Sequence, residues 1–392
     1  MSAIINTQIV VMGASLGGVL AAASAAAAFA KKNTARPAVS QVVLVAQHEW
    51  LGGQMTAQGV PPDEHKFIEH GGASASYIAF RRAMREHYWQ HPEFVNNTEM
   101  TEGCNPGDGW VSRLCFEPML AAVYFEALLR PYAQAGVLQI VRHASLVSAS
   151  TALREAEGHA KKIVGIEVQH QGQLTKLCAT IFIDATDTGE LIAKVGLAYR
   201  IGKEAHAEFG EPDAPNVAAP LDQQPVTLVM ALKQCHAPEP TISKPAQYDF
   251  WAAYTLPHYN YKLFSNNLPG HGRGKAMQLP FFGSGHTLDL WRYRRVVSAR
   301  NWQLISGQPR EEISLINWAQ NDYGLQPLLD GQFTEDAVLT AARELSLCLL
   351  HWLQTAAVRD DGGIGYANLA LAPDVLGTAD GFAQQIYVRE SR

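Results

Sequence analysis

The sequence is poor in cysteine, in charge and in long apolar runs. Its five cysteines (Cys104, Cys115, Cys178, Cys235 and Cys348) stand far apart with no CxxC pair. That excludes a disulfide framework and gives no zinc spacing, so free thiols in a reducing compartment are expected. Charged residues are only 17% of the chain and the formal net charge is −6. No basic block is longer than a pair or two, as at Lys31-Lys32, Arg81-Arg82 and the short run from Arg292 to Arg295, which argues against a nucleic-acid footprint. The Ala-rich run from Val19 to Ala30 is too short to span a bilayer and runs straight into two lysines. No basic leader precedes the first apolar strand, so no secretory signal is read. A soluble, cytoplasmic protein without membrane or nucleic-acid partners is the expectation.

What is present is 47% apolar residues over 392 positions, enough for a sizeable core and two domains. Gln8 to Met12 reads as a buried strand, the segment after Gly18 as a helix, and Gln41 to Ala46 as a second strand after the break at Pro37. This is a βαβ-type opening. Further helices are expected over 76–89 and from Pro118 to near Gly136. Three strand-like stretches then follow, over 137–150, 162–170 and 177–186, as a meander that leads back into the central sheet. Residues 200–335 are rich in Pro, Trp, Tyr and Asn with little clean periodicity, as in a separate cap or substrate domain. A long amphipathic helix follows over 335–358.

Four stretches carry chemistry. In "GASLGG" (13–18), Gly13 permits a sharp turn, Gly18 allows close helix–strand packing, and the helix N-terminus aims N–H groups at a pyrophosphate. Ser15 stands where the fingerprint has its second glycine; its hydroxyl is small and able to donate. A plain strand-to-helix turn would give the same pattern. The acid expected at the end of the second strand, for a ribose, is absent: Ala46 is there, followed by Gln47 and Glu49. In "WLGGQ", Gly52 and Gly53 let backbone run against a flat ring or a phosphate. In "FIDATDTGEL", small residues after an apolar strand leave room beside the first turn.

With "GASLGG", "WLGGQMTAQGVPPDEH", "GWVSRLCFEP", "FIDATDTGELIAKVGLAYRIGKEA", "INWAQNDY", "DGGIGYANL" and "DVLGTADGFAQQIYVRESR" in this order, the chain resembles the bacterial FAD-dependent oxidoreductases of the glutathione-reductase-like superfamily. The resemblance implies an α/β fold: an FAD-binding Rossmann-like parallel sheet with a β-meander and an inserted α+β cap. It implies an FAD-binding domain over 1–199 (with a loop-rich insertion at about 55–115), a cap over 200–335, and a helix and return segment over 336–392. The cofactor would be FAD, its pyrophosphate over Gly13, Ala14, Ser15, Leu16, Gly17 and Gly18. Gln47 would stand near the ribose, and Gly52, Gly53 and Gln54 along the ribityl and ring portion. Leu146 would offer backbone to adenine, with Ala185 and Gly189 bordering the cleft. Members of the family continue past "YVRESR", so a second chain supplying the later segment is an expected partner beside a small-molecule substrate.

Candidates for the reacting site are fewer. His65 lies close behind the flavin-side glycines, with Asp63, Glu64 and His70 as neighbours, and is suited to proton exchange while the flavin takes a hydride; fixing a loop is the plainer role. Arg113 and Cys115, two apart, would share a face on a strand, with Arg113 suited to a substrate carboxylate; Cys115 reads as a redox thiol or, with no resolving partner nearby, more plainly as a buried structural thiol. Arg389 is a candidate fixed positive charge near the flavin. "HTLDLWRYRR" and "INWAQNDY" mix aromatic and polar groups as ligand pockets or interdomain surfaces do. The function expected is FAD-dependent hydride transfer with a small organic substrate. The alternatives are a non-enzymatic remnant or subunit, motivated by Ala46 and the chain end, and a nicotinamide dehydrogenase using the same turn.

Overall fold

The computed structural model describes residues 3–32, 36–62, 64–65, 67–95, 103–153, 161–257, 259–270, 275–283 and 288–392. The chain opens with β1 (Ala3–Asn6) and β2 (Ile9–Met12). After the glycine turn come α1 (Leu16–Lys32), β3 (Val42–Val45), α2 (Ala75–Trp89) and α3 (Pro118–Gln134). Then follow β4 (Leu138–Val141), β5 (Ala144–Leu153), β6 (Lys161–His170), β7 (Gln173–Cys178), β8 (Ile181–Asp184) and the short α4 (Glu190–Val195). Local chemistry sets several ends. Ser74 caps α2 by accepting from Tyr77 N, and Pro118 begins α3, where a missing N–H costs nothing.

The central sheet has order β4-β3-β2-β8, and every neighbouring pair is parallel. Both of its faces are covered, which is why its strands are continuous apolar runs. Val11 and Leu44 face the layer of α1 and α3 and belong to the large core. Val10, Met12, Val43 and Val45 face the other way, onto Ile166, Val168 and Leu177 of the meander. Small side chains (Ala22, Ala23, Ala26) form the buried stripe of α1.

The three strand-like stretches read after α3 are five strands. His143 adopts a left-handed φ of 51° between β4 and β5. That bend sends β4 into the parallel sheet and starts the antiparallel meander β5-β6-β7. β8 then returns beside β2 in register Ile9↔Ile181 to Met12↔Asp184, as the sequence predicts. β1, which the sequence reading left out, pairs in parallel with β7 and closes the meander sheet in the order β1-β7-β6-β5.

The second half contains α5 (His206–Phe209), β9 (Met230–Gln234), α6 (Tyr248–Ala253), β10 (Asn267–Pro269), β11 (Ala276–Gln278), α7 (Leu290–Tyr293), β12 (Arg295–Val297), β13 (Glu312–Ile316), α8 (Glu335–Thr355) and β14 (Leu369–Leu371). Strands β12-β13-β9-β14 form an antiparallel sheet, so the tail contributes β14 to the sheet of the 200–335 region. Thr334 caps α8 through Ala337 N, and Glu335 and Asp336 lie in its positive first turn. The tail also reaches back to the first half: Gln385 N donates to Ala57 O, Trp50 N donates to Gln384 Oε1, and Arg392 N donates to Thr188 O. One large core runs through both halves, from Val11 and Leu129 to Leu232, Leu315 and Leu349.

Candidate active site

The glycine turn lies at the C-terminal end of β2. Gly13 has φ +95°, and a Cβ there would stand 2.4 Å from Ala185 O; at Gly18 a Cβ would stand 2.1 Å from Gly13 O. Both positions therefore require glycine. Gly17 differs: it is exposed, and a Cβ there would meet only Ser15 Oγ at 3.8 Å. Ser15 resolves the irregularity in the pattern. Its Oγ donates to Ala185 O (2.8 Å) and accepts from Gly18 N (3.3 Å), so the hydroxyl caps α1 and ties it to the strand return. The side chain is thereby occupied, and Leu16 and Gly17 form the open first turn of the helix.

The second glycine loop is fastened to the first. Gly52 N donates to Ala14 O (2.9 Å), Ser15 and Gly52 form a parallel bridge, and a Cβ on Gly53 would stand 2.9 Å from Ser15 Cα. A cavity of about 500 Å³ opens over the pair, lined by Ser15, Leu16, Gly17, Gln54, His65, Tyr77, Asp187 and Tyr387 among others. A narrow cleft continues from it along Gly13, Ala14, Gln47, His48, Trp50 and Thr186. Burial, and secondarily His143, lowers the His48 imidazole to about 4, so it is neutral at pH 7. Burial raises the Asp187 carboxyl, against the bond it accepts from Gln385 Nε2 (2.8 Å).

At the end of β3, Ala46 is fully buried. The polar groups there come from elsewhere. Gln47 Nε2 donates to Glu190 Oε1 (2.9 Å), which brings an acid from the start of α4 to the strand end. Burial raises the Glu190 carboxyl, and Glu335 adds to it. Asp184 serves the scaffold: its two oxygens accept from Thr186 N, Leu191 N and Ile192 N, fixing the start of α4. Ala185 is closed against the turn by its N–H to Met12 O (2.7 Å) and its carbonyl to Ser15. Gly189, in the left-handed conformation, precedes α4 and packs against Arg392, whose Cβ lies 3.1 Å from a built Cβ. Leu146 is buried in the meander core and paired with Val168, immediately before a bulge at Val147.

The Pro-rich loop turns out to be held by a buried ion network. Glu64 accepts from Tyr77 Oη (2.7 Å) and Ser112 Oγ (3.0 Å) and pairs with Arg81. Glu69 pairs with Arg81 and with Arg85 (2.6 Å). Glu64 is thus a strut of the loop, and Asp63 lies outside the described residues. His65 is exposed, accepts from Phe67 N at Nδ1 (3.1 Å), and lines both the cavity over the glycine loops and a neighbouring one of about 450 Å³ that also holds Arg113 and Trp110. The 110–117 segment is not a strand, so Arg113 and Cys115 do not share a face: Arg113 is exposed, whereas Cys115 is buried against Gly109.

A further cavity of about 450 Å³ lies in the second half, and Tyr387 lines both it and the cavity over the glycine loops. Thr227 and Tyr387 exchange backbone hydrogen bonds that pin the tail there. Arg389 sits in its wall, donating to Pro225 O (2.7 Å), Thr227 Oγ1 (3.1 Å), Asn317 Oδ1 (3.1 Å) and Asp322 Oδ1 (2.9 Å). Burial raises the Asp322 carboxyl against the pull of Arg389. Asp187, Glu190 and Tyr387 lie inside quoted motifs but were passed over, because their roles arise from contacts between segments far apart in sequence.

Among the described residues no group of three or more His, Cys, Asp or Glu is placed to hold a metal, and no helix is long and apolar enough to cross a membrane. No curated protein matches the chain. Similar solved structures include the L-proline dehydrogenase of P. horikoshii (11% identity, 88% of this chain and 76% of that one, TM-score 0.34). Another is a geranylgeranyl bacteriochlorophyll reductase-like protein of Thermoplasma acidophilum (13% identity, 59% of this chain, TM-score 0.31), of which the match spans 47%. A third is THI4 of Thermovibrio ammonificans (11% identity, 54% and 75%, TM-score 0.29). Residues 8–392 match the family described as FAD dependent oxidoreductase, from the first strand of the central sheet to the last residue, and the chain belongs to that family.

Proposed function

We propose that the chain binds FAD at the C-terminal edge of the parallel sheet and is an oxidoreductase of the glutathione-reductase-like kind, acting on a small organic molecule. The observation that carries this reading is the interlocked pair of glycine loops beneath an open cavity, with Gly17 facing free space at the start of α1. The residues fit the cofactor. Leu16 and Gly17 would present N–H groups and the helix dipole to the pyrophosphate. Gln47, oriented by Glu190, would take the ribose in place of the acid absent at position 46.

When bound, the flavin supplies hydride exchange with the substrate. The chain supplies orientation and proton handling. Tyr387, on the wall common to two cavities, separates cofactor from substrate; His65, exposed on the wall of two cavities, is placed to exchange a proton with solvent. Arg113 opens into the neighbouring cavity and Arg389 is held rigid by Asp322. On this reading 1–199 carries the cofactor, 200–335 caps it, and 336–392 joins the two.

The test is Gly17→Asp. The position has room for a side chain, so the variant folds with an unchanged melting temperature. It sets a negative charge against the pyrophosphate, and FAD titration should show affinity lower by about 100-fold or more, roughly 3 kcal/mol. Unchanged FAD affinity in the folded variant defeats the reading.

A further inference from the structure

The cavity in the second half has a chemistry of its own. Two guanidinium groups, Arg294 and Arg389, stand in its wall against one carboxylate, Asp322. The wall also holds two buried donors, Asn317 Nδ2 and Trp318 Nε1, with no hydrogen-bond partner among the described residues. Asn317 is 2% exposed and Trp318 3%. The orientation of the Asn317 amide is set by Arg389, whose guanidinium donates to Oδ1 (3.1 Å) and leaves Nδ2 as the free end. An unpaired buried N–H costs about 1–3 kcal/mol, so two in one wall mark a place where an acceptor belongs. The rest of the lining is apolar or aromatic, including Leu268, Met277, Leu279, Leu290 and Trp110.

We infer that this cavity is the substrate site and that it takes a carboxylate-bearing small molecule with an apolar body. The carboxylate oxygens accept from Asn317 Nδ2 and Trp318 Nε1 in the field of Arg294 and Arg389, and the apolar body lies against Leu268, Leu279 and Leu290. With two guanidinium groups and two unpaired donors against a single carboxylate that Arg389 already holds, the wall discriminates against cations and against bodies ending in a donor. About 450 Å³ suits a molecule of that size class. The inference rests on the FAD reading only for the word substrate; the binding chemistry stands without it.

Trp110 and Trp318 make the site its own reporter. The full chain, without added flavin, is titrated with 3-phenylpropanoate, 3-phenylpropanamide and 2-phenylethylammonium, followed by tryptophan fluorescence and calorimetry. The carboxylate should bind at least about tenfold more tightly than the amide, and the ammonium should not bind. Asn317→Asp removes the donor and adds a like charge, and should abolish carboxylate binding. Met277→Trp, on a side chain 41% exposed at the apolar end, should weaken it with the polar network intact. Equal binding of carboxylate and ammonium, or no carboxylate binding by a chain that binds FAD, overturns the inference. Carboxylate binding by a chain that fails to take FAD defeats the flavin reading and leaves this one standing.

Discussion

At the glycine turn nearly every atom that shapes the site is backbone; in the cavity of the second half nearly every one is side chain. The first region works by closeness: Gly13 against Ala185 O, Gly18 against Gly13 O, Gly53 against Ser15. Its chemistry is that of a helix end, generic and suited to any pyrophosphate. The second works by selection of groups: Arg294, Arg389, Asn317, Asp322 and Trp318 arrive from three separate stretches, and the cavity between them is specific in charge and hydrogen bonding. The difference teaches that the cradle is built by positions that admit no added volume (Gly13, Gly18 and Gly53), whereas the pocket is built by the charges and hydrogen-bonding groups it presents. Tyr387 belongs to both walls, which couples the two without merging them.

The largest expected effect breaks the first region. Gly13→Ala forces a left-handed φ on a residue with a Cβ and drives it into Ala185 O at 2.4 Å. A loss of about 3 kcal/mol or more is expected, seen as insoluble protein or a collapse in the denaturation midpoint; wild-type-like stability would show that the turn relaxes freely. The contrast with Gly17→Asp, four residues on, separates building the cradle from using it.

Acid separates the regions next. His48, with its imidazole at about 4 in the fold and 6.5 as its ordinary value, lies in the cleft. A base lowered by folding gives stability that is present above 6.5 and is lost as pH falls from 6.5 towards 4, by up to about 1.4 kcal/mol per pH unit. Asp322, raised by folding, acts in the opposite sense: its contribution is full at low pH and is lost as pH rises through its folded value. His48→Gln should flatten the acid limb of the stability curve in that window. A limb of unchanged slope assigns the acid response elsewhere.

Smaller is Ser15→Ala. It removes the cap of α1 and the bond to Ala185 O, for about 1 kcal/mol of stability. FAD affinity should stay within a few-fold, because the hydroxyl is turned to the strand and not to the cofactor. A large loss of FAD affinity with stability intact would show that the hydroxyl serves the ligand.

The same division decided what the sequence made legible. Gly13, Gly18, Gly52 and Gly53 act through local backbone needs, so their spacing was visible, as were β2, β3, α1 and the return of β8. The left-handed turn at His143 was not, because a single histidine is only a weak signal for positive φ, and β4 and β5 read as one stretch. β1 escaped because its partner, β7, lies more than 160 residues away. The Glu190–Gln47 bond and the cluster of Asn317, Asp322 and Arg389 have the same origin: tertiary pairing with no local pattern. Cys115 is buried, as expected of a structural thiol, but it does not share a face with Arg113, because alternation holds only on a strand and the chain there is irregular.

The central claim is that the interlocked glycine loops hold a pyrophosphate, and riboflavin is FAD without its pyrophosphate and its adenosine. Calorimetric titration of the wild-type chain with FAD and with riboflavin tests it most directly. The account predicts a one-to-one FAD complex and binding of riboflavin weaker by about 100-fold or more. Equal affinities, or no FAD complex at all, would contradict it.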